Sequence, residues 1–303
     1  MSRIHVNLEA VIVTVSGDTP RVLVIRSDPD EVVRLPSGRL GPDDRTLHLA
    51  LRRWVREQSG LELGYVEQLY TFGDVDRNPA RSGRSLSIAY LALIHDGAPS
   101  RGAEWMNIYS LIPWEDHRVP DGSVIPEWLS AELIAWSTET RDADEQALRE
   151  ERVHVTFGLG QAAWDGVRVL ERYELLYEVG LLEESPTHFR GRVVPSTAMA
   201  LDHRRIVATA LSRLRGKLTY RPVVFELLTP AFTLLELQTI VEALSGVTLH
   251  KQNFRRLVER GGLVEGTGRT TRTGGRPAEL FRFRREVLRE RPRPGVGTPW
   301  SSQ

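Results

Sequence analysis

Cysteine is absent from the 303 residues, which removes disulfides and thiolate metal sites from consideration and agrees with a reducing compartment. No stretch approaches about 18 uninterrupted apolar residues, so no membrane span is expected. Residues 1–17 alternate like a strand and lack the basic start and apolar run of a signal peptide, which makes a cytoplasmic location the expectation. Net charge is lacking too: 40 Lys and Arg balance 40 Asp and Glu. The balance conceals a division, because residues 201–303 hold 19 basic against 9 acidic side chains and the rest hold 21 against 31. A basic end on an acidic body suggests that one end meets a polyanion while the other has a different task. A solvated charged surface is the alternative, and motifs must decide.

The length allows two or three modest domains. Residues 4–16, 20–27, 64–72 and 87–94 have the Val, Ile and Leu content of strands. Residues 46–59 predict a helix with Leu47, Leu51 and Val55 on one face, closed by Gly60. Strands around a helix imply an α/β or α+β domain over roughly 1–135. Residues 126–136 read as helical, 137–151 as a polar linker, 161–180 as an amphipathic helix without catalytic signal, and 202–218 as a further helix. The tail, 291–303, is expected to be disordered. The resulting division is 1–140, a helical insert or linker over 141–200, and 201–290.

The C-terminal pattern is the most specific. A short apolar helix over 221–228 stops at Pro230. Thr233 precedes Glu236 by three residues, which is a capping box opening a helix with Leu234, Leu237, Ile240, Val241 and Leu244 inward. After Ser245-Gly246 a second helix spans 248–260. Leu249, Phe254, Leu257 and Val258 are its expected buried side, while Lys251, Gln252, Asn253, Arg255 and Arg256 offer the cations and amides that read phosphates and base edges; Asn253 could instead turn inward. Gly261-Gly262 ends it, and 263–265 with 279–283 predict a hairpin whose tip carries Arg269, Arg272 and Arg276. Helix, helix and basic hairpin in this order make a winged helix-turn-helix. A small α+β domain with a solvated basic face is the bland alternative.

Residues 35–61 resemble the Nudix box, G-x5-E-x7-R-E-U-x-E-E-x-G-U. Anchored on Gly60-Leu61, Arg53 matches the Arg, Val55 the apolar position and Glu57 the first paired Glu. Trp54 replaces the Glu after the Arg, Gln58 the second paired Glu and Arg45 the early Glu, and the loop from Gly38 is one residue longer. Nudix hydrolysis needs several carboxylates holding divalent ions against a diphosphate. Only Glu57 is matched, so it is the sole candidate metal ligand; Asp43 and Asp44 could compensate. The expectation is a fold that binds a nucleotide diphosphate without being an enzyme. Arg77, like Arg81 and Arg84, could meet a phosphate or be solvated. Trp114-Glu115-Asp116-His117 suggests a pocket rim, with Trp114 stacking on a base or packing in a core. Arg53, Trp54, Glu57, Arg77 and Trp114 are the candidate nucleotide contacts, and no catalytic residue is expected.

Together these segments, with 71–79, Leu201-Asp202-His203 and Gly275-Arg276-Pro277-Ala278, resemble the Nudix-related transcriptional regulators of NAD metabolism, the NrtR-like family. Phe157-Gly158-Leu159, 170–180 and Pro113-Trp114-Glu115-Asp116 resemble its NadQ-type branch. The resemblance implies an α+β chain, a Nudix-like α/β sandwich followed by a winged helix-turn-helix domain. It implies a homodimeric repressor of NAD biosynthesis or salvage genes on a palindromic double-stranded DNA operator. The effector it implies is an adenine or pyridine nucleotide such as ADP-ribose, NAD or ATP, with no required cofactor. An active Nudix pyrophosphohydrolase acting on ADP-ribose or a dinucleotide is the alternative, and a protein-docking adaptor a third reading.

Overall fold

The computed structural model describes residues 4–26, 31–74, 84–95, 97–100, 102–118, 125–272 and 277–296. Its first half comprises β1 (Ile4–Ser16), β2 (Thr19–Ile25), β3 (Ser37–Arg39), α1 (Leu47–Ser59), β4 (Tyr65–Phe72), β5 (Arg84–Leu93), β6 (Ala103–Asn107) and the single turn α2 (Ile108–Leu111). The main sheet runs β4-β5-β1-β2-β6, with β3 paired to β1. β1 and β5 are parallel and the other pairs antiparallel.

β1 lies at the centre because it is apolar on both faces. Leu8, Ala10 and Ile12 face α1 with Leu51 and Val55, while Val11 and Val13 face the opposite layer. This alternation follows from the two-residue period of a strand. α1 begins at Thr46, whose side chain accepts from the Leu49 amide, and ends at Gly60 in the left-handed conformation. The stop at Gly60 was expected, and both residues act as caps do.

The second half comprises α3 (Glu127–Ser137), α4 (Ala143–Phe157), α5 (Val169–Val179), α6 (His203–Leu218), α7 (Leu234–Ser245), α8 (Lys251–Gly261), β7 (Val264–Thr271), β8 (Ala278–Phe283) and α9 (Val287–Glu290). α6 and α7 roof the free face of the sheet. Val11, Val13, Val22, Leu91 and Leu93 share one cluster with Ile206, Val207, Leu214, Leu237, Val241 and Phe254. One core therefore runs across residues 140 and 200, where a boundary was expected.

Three further expectations are corrected. The polar stretch 137–151 is mostly helix α4, not a linker. Asp142 accepts from the amides of Asp144 and Glu145, Arg149 pairs with Glu145 one turn back, and Gly158 closes the end. Such a sequence makes a surface helix that buries only one edge, here Val153, Thr156 and Phe157. Residues 161–168 are turns, not the start of a long helix, because Gly158 and Gly160 both take φ near +60° just before them. Of the supposed tail, residues 291–296 are ordered against the body: Val296 is fully buried and its amide donates to the Leu218 carbonyl at 2.9 Å. Residues 297–303 lie outside the described residues. Among the described residues no helix is long and apolar enough to cross a membrane.

Candidate functional site

The strongest candidate is the surface carried by α7, α8 and the β7–β8 hairpin. The Thr233 hydroxyl accepts from the Glu236 amide at 3.1 Å while the Glu236 carboxylate accepts from the Thr233 amide at 2.6 Å. α7 stops at Gly246, with φ 71°. A Cβ there would lie 2.2 Å from the Glu115 carbonyl oxygen, so the close approach admits only glycine. The turn that follows is held by Glu242, whose carboxylate accepts from the Leu249 amide at 2.8 Å and from the Gln238 amide group at 2.9 Å.

α8 is strongly two-faced. Phe254 and Val258, one turn apart, are buried and anchor it. Lys251, Gln252, Asn253, Arg255 and Arg256 are all exposed, and among the described residues none of them has a protein partner. Asn253 therefore faces outward. Leu257, expected inward, is 40% exposed; a helix with two anchors four residues apart buries a narrow stripe, and residue 257 falls beside it.

The hairpin strands extend further into the expected loop, pairing Val264 with Phe283 and Thr271 with Ala278 around an irregularity between Gly266 and Thr270. Phe232 exchanges backbone hydrogen bonds with Phe281 at 2.9 and 2.7 Å, an isolated bridge that ties the entry to α7 to the hairpin. Arg269 and Arg272 are exposed near the tip; Arg276 lies outside the described residues.

The other candidate lies where the chain resembles the Nudix box, on the loop 36–45 and α1. Arg53 pairs with Asp44 at 2.8 Å and with Glu57 at 3.7 Å. The Gly41 amide and then the Arg53 guanidinium hold the Asp44 carboxyl below its usual range. Trp54 lies over Gly38, where an added Cβ would sit 2.0 Å from its ring, and its Nε1 donates to the Arg39 carbonyl at 3.1 Å. Gln58 grips the Ser37 backbone twice, accepting from its amide at 3.1 Å and donating to its carbonyl at 2.6 Å. Trp54 and Gln58, two of the side chains standing where a metal carboxylate is expected, thus fasten the loop instead. Glu57 is exposed and shares Arg53, and among the described residues no three His, Cys, Asp or Glu side chains converge.

Arg77 lies outside the described residues. Trp114 does not line a rim: it is 3% exposed within the main core, with its indole nitrogen buried. The buried apolar residues just before it, Leu111 and Ile112, turn it inward with them.

The neighbouring residue opens a site that composition did not disclose. Glu115 is fully buried between Arg172 and Arg215, both also fully buried. Arg172 grips the carboxylate at 2.5 and 3.0 Å and donates to the Thr156 and Asp165 carbonyls at 3.0 Å. Arg215 bonds the same carboxylate, the Gly166 and Leu244 carbonyls at 3.0 Å and the Glu115 carbonyl at 2.9 Å. Two guanidiniums on one carboxylate leave a surplus positive charge. The partial negative charge at the last turns of α4 and α7, where Thr156 and Leu244 lie, offsets it. Burial raises the Glu115 carboxyl and the two guanidiniums outweigh it, so the group lies below its ordinary value. A signal for these residues was present: Val169, Arg172, Tyr173 and Leu176 share one helical face, as do Leu211, Leu214, Arg215 and Leu218, with an arginine inside each apolar stripe.

Residues 224–283 match the family model of the NrtR DNA-binding winged helix domain. This segment is similar to the winged helix of NrtR. A segment of 85 residues is 41% identical to the "ADPR responsive transcriptional repressor NtrR" of Acinetobacter baylyi; it covers 28% of this chain and about a third, 34%, of that relative's length. NrtR of Shewanella oneidensis, solved in complex with a 27mer DNA, superposes with a TM-score of 0.58 at 21% identity over 94% of this chain and 95% of that one. A MutT/nudix family protein from Enterococcus faecalis gives 0.55 at 16% identity, covering 94% and 88%. The chain thus shares the fold of these two structures: a Nudix-like α/β sandwich followed by a winged helix similar to that of NrtR.

Proposed function

We propose that this protein is a DNA-binding transcriptional repressor whose Nudix-like domain senses a nucleotide. The observation that carries the reading is the outer face of α8. Five consecutive or near-consecutive polar and cationic side chains are ordered on an anchored helix and left without protein partners, beside a basic hairpin tip. Phosphates require such cations and base edges such amides. The similar proteins add the nucleotide: the Acinetobacter relative is ADP-ribose responsive and the Shewanella protein binds DNA.

In this reading Lys251, Gln252, Asn253, Arg255 and Arg256 enter a major groove, and Arg269, Arg272 and Arg276 contact the flanking backbone. The chain acts as a homodimer on a palindromic operator controlling NAD synthesis or salvage, in the cytoplasm. The loop 36–45, Arg53, Trp54 and Arg77 receive the diphosphate of an ADP-ribose-like effector. Hydrolysis does not follow, since Gln58 and Asp44 are committed to loop and Arg53.

Selection from a random duplex pool, followed by anisotropy titration, tests the first part. The expected result is a specific duplex that Arg256→Ala weakens, with a salt slope shallower by about one if the contact is to phosphate. Unchanged affinity in that variant sinks the assigned surface. Incubation with Mg²⁺ and ADP-ribose tests the second part; turnover lost in Glu57→Gln would overturn the sensor reading in favour of a hydrolase.

A further inference from the structure

The α6 helix touches both candidate sites, and buried polar contacts hold it near each end. At its first residue, His203 is buried, and its Nδ1 accepts the Leu35 amide at 3.0 Å. Its Nε2 lies 3.6 Å from Glu9, which also accepts from the Ser87 hydroxyl at 2.6 Å. Leu35 leads into the nucleotide loop, and Glu9 stands opposite Ser37 in the β1–β3 register. Ser37 is the residue gripped by Gln58 of α1. The same junction is bound by backbone, with the Ala200 amide donating to Val33 at 2.9 Å. Leu201 takes φ 54° there, a left-handed conformation that strains a non-glycine residue.

Twelve residues on, about 18 Å along the axis, Arg215 ends the helix in the Glu115 network. Its donors reach the Leu244 carbonyl in the last turn of α7. The Tyr109 hydroxyl donates to Ala243 at 2.7 Å, and the His117 amide to Gly246 at 2.7 Å. These are the residues of the turn that aims α8. Between its ends α6 buries Ile206, Val207, Ala210, Leu211 and Leu214, and this close packing along its length resists bending.

We propose that α6 transmits nucleotide occupancy to the recognition helix, with His203 as the positioning residue at the loop end and Arg215 at the turn end. This rests on the reading of the protein as a nucleotide-responsive DNA binder. A ligand that draws in the loop 36–45 shifts Leu35 and Ser37, hence the first turn of α6. Arg215 then carries the displacement to residues 243–246, and α8 changes its angle to the duplex. The coupling free energy passes through packed groups that both sites contact.

The test measures three quantities on the full chain: affinity for the selected duplex, affinity for ADP-ribose, and the factor by which saturating ADP-ribose changes the first. A wild-type factor of one, or no binding of either ligand, refutes the underlying reading and not the transmission. Given a wild-type factor well away from one, His203→Ala is expected to keep both separate affinities within about threefold while the factor collapses towards one. His203→Asn, which keeps an acceptor for the Leu35 amide, is expected to restore most of it. Arg215→Lys tests the other end, keeping the charge and losing the Nε donor to the Leu244 carbonyl, and is expected to reduce the factor in the same way. A factor unchanged from wild type in folded His203→Ala, or in Arg215→Lys should the first variant not fold, overturns the proposal.

Discussion

Two side chains show how much a single residue settles in this molecule. Trp54 occupies the space above Gly38 that any other residue would need, since a Cβ would lie 2.0 Å from its ring. Gly38→Ala is expected to lower stability by about 1–3 kcal/mol, the usual cost of overpacking, and to cost markedly less in a Trp54→Ala background. Urea denaturation of the four proteins of the cycle measures this. His117 packs 3.9 Å from Trp164, and burial lowers its imidazole to about 4 from 6.5, against the pull of Glu115. The unfolded imidazole takes a proton near 6.5 and the folded one does not until about 4. Between those values the unfolded chain holds more protons, so stability that is complete above 6.5 is lost at about 1.4 kcal/mol per pH unit as pH falls. The urea midpoint is expected to drop between pH 6.5 and 4.5, and to drop less in His117→Asn. An equal drop in both proteins shows that other groups are responsible. The role of Glu115 was not legible in the sequence: its neighbours suggested a rim, and only folding brings Arg172 and Arg215 to it.

At the scale of elements, capping chemistry made several boundaries readable. Thr46, Gly60, Thr233, Glu236 and Gly246 act where they stand in sequence because a cap is a local bond between a side chain and the nearest free amides or carbonyls. Thr233→Ala is expected to cost about 1 kcal/mol, seen as a lower urea midpoint, and to leave the α8 surface in place so that duplex affinity at low temperature changes little. What composition misassigned was α4, whose polar run was read as linker. Its caps at Asp142 and Gly158 were local and readable, but the apolar edge of Val153 and Phe157 had no visible partner until α3 and α5 packed around it. The short β3 and β6 escaped for a similar reason. Ser37–Arg39 and Ala103–Asn107 carry no strand pattern of their own and are strands because β1 and β2 offer them unpaired edges.

The whole molecule behaves as one packed body. The winged helix shares its core with the sheet through α6 and α7, and Val296 returns to seal the end of α6. A single cooperative calorimetric transition is therefore expected, with an isolated fragment 201–296 unfolded because it would expose Ile206, Val207 and Val241. Two separable transitions, or a folded fragment, contradict a shared core. The C-terminal succession of helix, helix and hairpin, the two-faced α8, the basic third and the departures from the Nudix pattern were legible in the sequence alone, because periodicity, caps and charge are properties of neighbours along the chain. The triad of Glu115, Arg172 and Arg215, the grip of His203 on Leu35 and the burial of Trp114 were decided by tertiary structure. Their partners are tens of residues away, and the free energy of burying a charge depends on which distant carbonyls and ions meet it.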